Sequence, residues 1–219
     1  MKKSIFITTA IVVLVSLTTT VLYHFPYELE NIVPTSEKQK NKKVLIVPLN
    51  DNIEQSYVDS ACSYLQHYFP LVQVELADVI DIPNNCHNGR RYRADSILKF
   101  LDKLYTSEYY RVIGLTNDDI SITRTLIENG KEVVYPDRGI IGLGQRPGRV
   151  CVVSKYRLGN DIYSFAKVTT HEFMHTLGVP HCAHEKCIMQ NGNGSAKPLR
   201  ESNHIHQECL DIAYKTIIK

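Results

Sequence analysis

The sequence carries almost no net charge. It sets 25 Lys and Arg against 23 Asp and Glu, a formal +2, which leaves no electrostatic footprint for nucleic acid or an acidic polymer. No Cys precedes Cys62, so a lipoprotein anchor at the end of the N-terminal apolar segment is not expected. From Val44 onward there is no internal repeat and no low-complexity tract. The 219 residues hold one well-buried domain plus a leader or linker, and two full domains would be cramped.

Charge is missing in one further place. Ile5 to Phe25 contains no Lys, Arg, Asp or Glu and follows Met1-Lys2-Lys3, a short basic start. As a helix this run matches the ~30 Å of a bilayer core. No A-x-A-like cleavage site stands at its end, among Thr18, Thr19, Thr20, Val21 and Leu22, so residues 1–25 are expected to be a signal-anchor in preference to a cleaved signal peptide. Lys2 and Lys3 favour a cytoplasmic N-terminus against competition from Lys38, Lys40, Lys42 and Lys43. The expectation is a membrane-anchored or secreted chain, with its catalytic domain outside the cytoplasm. Residues 26–43 are polar and lysine-rich and read as a solvated linker; the folded domain is expected over 44–219.

Within that domain strands and helices alternate. Val44 to Leu49 is a short, nearly all-apolar run suited to a buried strand. Ile53, Tyr57, Val58, Ala61, Leu65 and Tyr68 recur at helical spacing behind the capping candidates Asp51 and Asn52. Leu71 to Leu76 predicts a second strand, and Ala94, Ile97, Leu98, Leu101 and Leu104 the stripe of a second helix. Tyr110 to Leu115, a weaker Gly139 to Leu143 and Val150 to Ser154 follow as strands, with turns around Gly130, Pro136, Pro147 and Gly148. A helix from about Asp161 through Leu177 and a terminal helix around Cys209 to Ile218 complete an α/β sandwich with a mixed sheet.

The chemistry sits on the penultimate helix. His171 and His175 are four residues apart, so both imidazoles share one face and can reach a single ion at ~2.0–2.1 Å. Gly178 lacks a Cβ and can turn the chain sharply back, bringing His181 to the same ion. Three His ligands leave one position of Zn²⁺ open for water, as a catalytic site requires. Glu172, beside a ligand on the same turn, is placed to take a proton from that water as general base. All five fixed positions of this HExxHxxGxxH pattern would coincide by chance roughly once in ten thousand such chains.

The segment His171 to Met189, HEFMHTLGVPHCAHEKCIM, resembles the metzincin signature with its following Met-turn, and is similar in particular to the archaemetzincins, in which a Cys directly follows the third His. Looser resemblance extends to Val44-Leu45-Ile46-Val47-Pro48-Leu49, to Ile113-Gly114-Leu115-Thr116 with Asp119, and to Val152-Val153-Ser154 with Arg157-Leu158. It implies a metzincin-like three-layer sandwich, an α/β (α+β) fold whose active-site helix carries the zinc ligands, with Met189 in a tight turn beneath them. It also implies a second, structural zinc ion normally held by four cysteines. Cys182, Cys187 and Cys209 fit three of those positions, and His206 stands where the fourth Cys is expected. His is itself a good zinc ligand. His204 is the alternative to His206, and His184 is expected to face solvent. Cys62 and Cys151 read as buried thiols.

The function expected is hydrolysis of a peptide or protein substrate by a zinc metallopeptidase, with membrane contact confined to the N-terminal segment. The alternatives are a membrane-tethered zinc-binding protein without turnover and a non-proteolytic zinc amidohydrolase. Gly139 to Leu143 is also a candidate edge strand for pairing with an extended peptide. Asp118 and Asp119 are better suited to capping a turn than to the site.

Overall fold

A computed structural model describes residues 42–105, 108–193 and 195–219. The expected signal-anchor at 1–25 and nearly all of the linker lie outside them. Among the described residues no helix is long and apolar enough to cross a membrane. The expectation of a membrane-anchored or secreted chain is therefore corrected: it rested on the apolar run Ile5 to Phe25, and no described part of the fold supports it.

Four strands run parallel at the centre. β1 (Lys42–Pro48), β2 (Val72–Leu76), β4 (Arg111–Thr116) and β8 (Val150–Ser154) join the antiparallel β7 (Gly142–Gly144) in a five-stranded sheet of order β2-β1-β4-β8-β7. Their runs are apolar on both sides because the sheet is covered on both faces. Val44, Ile46, Ile113, Leu115, Cys151 and Val153 pack on one face with α1 (Gln55–Tyr68), α3 (Ile162–Thr176) and α5 (Gln207–Ile217). Leu45, Val47, Val112, Val150 and Val152 pack on the other face with α2 (Ala94–Leu104). Adjacent residues of each strand thus serve opposite cores, which produces the three-layer sandwich.

Helix α3 lies against α1 and the sheet and is buried along nearly its whole length. Asp161 caps its start by accepting the Ser164 N–H at 3.0 Å. Gly178, at φ 93°, ends it, and the Val179 N–H reaches back to the Met174 carbonyl at 3.1 Å, the helix ending expected from a residue without a Cβ. At that end Arg111 donates from Nε to Thr176 Oγ1 at 3.1 Å while stacking on the Tyr110 ring at 4.0 Å, a cation held at the negative pole of the helix. On the α1 side Phe173 and Phe69 meet edge to face, 5.3 Å between centroids. Both are fully buried. Phe173→Ala is expected to destabilise the fold by roughly 3–5 kcal/mol, a fall of roughly 6–20 °C in Tm, measurable by calorimetry.

Three features depart from the sequence expectation. The α1 capping candidates are not its caps: the helix starts at Gln55 behind Glu54. Asn52 instead donates to Asp118 at 2.8 Å and accepts from the Asn117 N–H, and Asp51 sits in a turn at φ 41°. A long hairpin, β5 (Ile120–Glu128) and β6 (Lys131–Ile140), occupies a region where only the weak strand at Gly139–Leu143 was expected. It forms a second sheet with the short β3 (Tyr92–Arg93). Its turn is Asn129-Gly130, both at positive φ (51° and 74°), the pairing that suits a two-residue hairpin. The short α4 (Lys197–Glu201) was also not foreseen.

Candidate active site

The three histidines converge. His171 and His175 lie on α3, His181 lies just past the Gly178 turn, and one nitrogen of each falls within 4.8 Å of the others. His171 Nδ1 faces the Ile188 carbonyl at 2.6 Å and His175 Nδ1 the Val179 carbonyl at 2.8 Å. Those carbonyls accept, so each Nδ1 carries the proton and each Nε2 keeps its lone pair free. His175 Nε2 and His181 Nε2 are 3.3 Å apart, close to the roughly 3.3–3.4 Å separating two nitrogens on one tetrahedral zinc ion. Burial holds the His171 imidazole down to about 3 and the His175 imidazole down to about 4; neutral imidazole is the form that binds metal. The donor set fits zinc.

Glu172 is buried on the same turn of α3, and burial raises its carboxyl to about 8, opposed in part by the Gly144 backbone N–H that it accepts. Strand β7 presses against it. A Cβ on Gly142 would stand 2.7 Å from Glu172 Cγ, and one on Gly144 would stand 2.6 Å from the Glu172 carbonyl oxygen. Glycine is required at both places by this close approach. Together with Ile122 and Arg124 of β5, Gln190 to Asn193 and Ser195, β7 walls a cleft of about 410 Å³ with the histidines and Glu172 at its base. Met189 is fully buried, in the turn whose Ile188 carbonyl orients His171. Cys182 N–H donates to the Met189 carbonyl at 2.8 Å and fastens the turn to the residue beside His181.

The expected second ligand set comes together only in part. Cys182, Cys187 and Cys209 bring their sulfurs within 4.8 Å of one another, whereas His206 groups with Cys182 and His184. The His184 and His206 rings stack, 3.5 Å between centroids. His184, expected to face solvent, is exposed and yet places Nδ1 3.3 Å from Cys182 Sγ. His204 is turned to Asn203 instead. Cys187 accepts from the Cys209 thiol and from the His206 N–H, and these bonds lower its thiol from the ordinary value while Cys209 is pushed up. That direction favours the thiolate, the ligand form of the side chain. All six cysteines are free thiols; Cys151 is fully buried and Cys62 partly so.

Asp118 and Asp119 lie away from the cleft. Asp118 accepts from Asn50, Asn52 and Thr116, and Asp119 pairs with Arg91 and Arg157.

A sheet with a buried helix beneath it, two histidines one turn apart, a glycine turn and a third histidine above a buried methionine define a zinc metallopeptidase. No family model matches the chain. It is 28% identical to an archaemetzincin of Methanopyrus kandleri over 169 residues, 74% of this chain and 89% of that protein. It is 27% identical to one of Saccharolobus solfataricus over 164 residues, 69% and 81%. The chain is a homologue of the archaemetzincins. Among solved structures, the M. kandleri archaemetzincin shares the fold at a TM-score of 0.68 and 24% identity, covering 82% of this chain and 97% of that one. A zinc-dependent peptidase of Methanocorpusculum labreanum does so at 0.60 and 18% identity, covering 77% and 99%.

Proposed function

We propose that the chain hydrolyses peptide bonds, with His171, His175 and His181 holding a catalytic zinc ion, Glu172 as general base and residues 44–219 as the catalytic domain. The observation that carries the reading is the buried Glu172 carboxyl beside three converging, neutral imidazoles at the base of an open cleft. Bound zinc supplies an open position for water and polarises a carbonyl. Glu172 takes a proton from the attacking water and passes it to the nitrogen of the leaving amine. The Gly144 N–H holds that carboxyl toward the cleft. Strand β7 is the edge of its sheet, and an extended peptide laid along it gains backbone hydrogen bonds by strand addition. Cys182, Cys187 and Cys209, with His206 beside Cys182, are the proposed ligands of a second, structural zinc ion.

The test is to incubate the zinc-loaded full chain with a mixed peptide library and identify products by mass spectrometry, with a chelated control. Cleavage that depends on zinc supports the reading. A zinc-replete chain that cleaves nothing above the chelated control overturns it. Metal analysis of the same sample is expected to give two zinc ions per chain, and one would remove the second site.

Gly144→Ala is a sharper probe of the geometry. The added methyl meets backbone, the Glu172 carbonyl, and a side chain, His175 Cβ at 3.1 Å, so β7 has to move away from α3. A loss of at least about tenfold in kcat/KM is expected with the zinc content unchanged, since small misplacements of a catalytic group carry penalties of that order or more.

A further inference from the structure

The cleft is electropositive in a way the hydrolytic step does not need. Two guanidinium groups line it, Arg124 from β5 and Arg146 just after β7, and Glu172 is the only acidic side chain among the lining residues. Neither arginine makes an ion pair or a side-chain hydrogen bond among the described residues. Other arginines nearby are committed: Arg91 to Asp119 and Asp137, Arg93 to Asp95, Arg149 to Asp102 and Arg157 to Asp119.

The acidic groups that could neutralise Arg124 are spent as well. Asp137, two residues from its β6 partner Tyr135, binds Arg91 and Asn88, and Glu128 accepts from the Tyr135 hydroxyl. Ile122 and Arg124 stand two apart on β5, so their side chains share one face of the strand. Here Ile122 and Arg124 both face the cleft while Thr123 turns to the Pro136 carbonyl.

We propose that Arg124 and Arg146 form a subsite for a substrate carboxylate, so that peptides carrying a negative charge near the scissile bond are preferred. This rests on the peptidase reading and deepens it. The guanidinium forks match the geometry of a carboxylate and bind it more strongly than a neutral group. Two chemical sources present that group, an Asp or Glu side chain and a free peptide C-terminus, and the assay separates them.

One arm measures kcat/KM of the zinc-loaded full chain on matched fluorogenic peptides. Asp or Glu, their amides and Lys are placed in turn at each of the positions flanking the cleaved bond. Each peptide is made as C-terminal acid and as C-terminal amide. A preference of about tenfold for the charged member of a pair is expected, falling as salt is raised. Preference for side-chain acids regardless of the terminus assigns the subsite to side chains; preference for free-acid over amide termini assigns it to the C-terminus.

A second arm does not depend on turnover. Binding of labelled acidic and amide peptides to the zinc-loaded Glu172→Gln protein is followed by fluorescence anisotropy. Arg124→Gln and Arg146→Gln, each added to that background, are expected to weaken the acidic peptide about tenfold more than its amide counterpart, with partial return on Arg→Lys. Equal binding of acidic and amide peptides, or a selectivity that survives both substitutions together, overturns the subsite. Selective binding without any cleavage by the parent chain would leave the subsite standing and sink the peptidase reading instead.

Discussion

Glu172→Gln is expected to lower kcat by about 10²–10⁴-fold, the range that a positioned general base contributes, while zinc content stays at the parent level. The amide keeps nearly the volume of the carboxyl, and its oxygen can still accept the Gly144 N–H, so the local structure has no reason to change. What is lost is the capacity to accept a proton from water and hand it on. Steady-state kinetics on any cleaved peptide, with metal analysis alongside, checks this. A variant retaining more than about a tenth of the parent kcat would move the base elsewhere.

The same substitution has a stability signature with a definite sign. In the metal-free protein the Glu172 carboxyl is raised from its ordinary 4.5 to about 8. Below 4.5 it is protonated in the folded and unfolded chain alike and has no effect on the balance. As pH rises from 4.5 toward 8 the unfolded chain ionises first, so the folded state loses stability progressively, and the loss is complete above about 8. Gln cannot ionise. The metal-free variant is therefore expected to gain in Tm over the metal-free parent as pH rises from 5 to 8, with no difference at pH 4. Melting of chelated samples across that range reads the effect, and parallel curves for the two proteins would contradict a buried, neutral Glu172.

His175→Ala should remove the catalytic metal. The imidazole is buried, its Nδ1 is fixed by the Val179 carbonyl and its Nε2 stands 3.3 Å from that of His181; nothing nearby can substitute. Loss of even an outer partner of a metal ligand costs about 10–100-fold in affinity, and loss of a ligand itself is expected to exceed this. Metal analysis after desalting should show one zinc ion fewer per chain, with cleavage at background. Because the thiol cluster is built from other residues, an ion held there should remain, which distinguishes loss of a site from loss of the fold. The pH behaviour also changes. His175 is held down to about 4 from its ordinary 6.5, so the metal-free parent loses stability as pH falls from 6.5 toward 4, where the unfolded chain takes up a proton that the folded chain refuses. The alanine variant lacks that part of the loss.

The arrangement of the candidate site was legible in the sequence where it is local. Two histidines and a glutamate within one helical turn, closed by Gly178, declare their geometry through the 3.6-residue period alone. The parallel strands were legible because strands covered on both faces are continuous apolar runs. The hairpin was not legible. Its strands carry Thr, Arg, Lys and Glu on both faces, and Pro136 interrupts β6, which lies at the edge of its sheet where a missing N–H is tolerated. The signal that could have found it was Asn129-Gly130 between two runs of alternating residues.

Other features depend on distances across the fold. With β5 unread, Arg124 had no face to be assigned to. The roles of Gly142 and Gly144 emerge only from how closely β7 approaches α3. The stacking of His184 on His206 joins residues far apart in the chain, where the 182–190 loop bridges Cys182 to Gln190 and Cys187 to His204. The localisation expectation failed for a different reason: an apolar run establishes hydrophobicity and length, and neither specifies where a protein resides.

The turn holding Met189 bears on how damage would spread. His181 and Cys182 are consecutive residues, as are Cys187 and Ile188, whose carbonyl fixes the His171 ring. The sulfur cluster and the imidazole cluster are thus riveted together at two points along one short loop. Any event that spreads the three sulfurs apart, whether alkylation, oxidation or an ill-fitting ion, pulls on two imidazoles at once. In this protein a lesion among the thiols would present itself at the bench as a failing hydrolase.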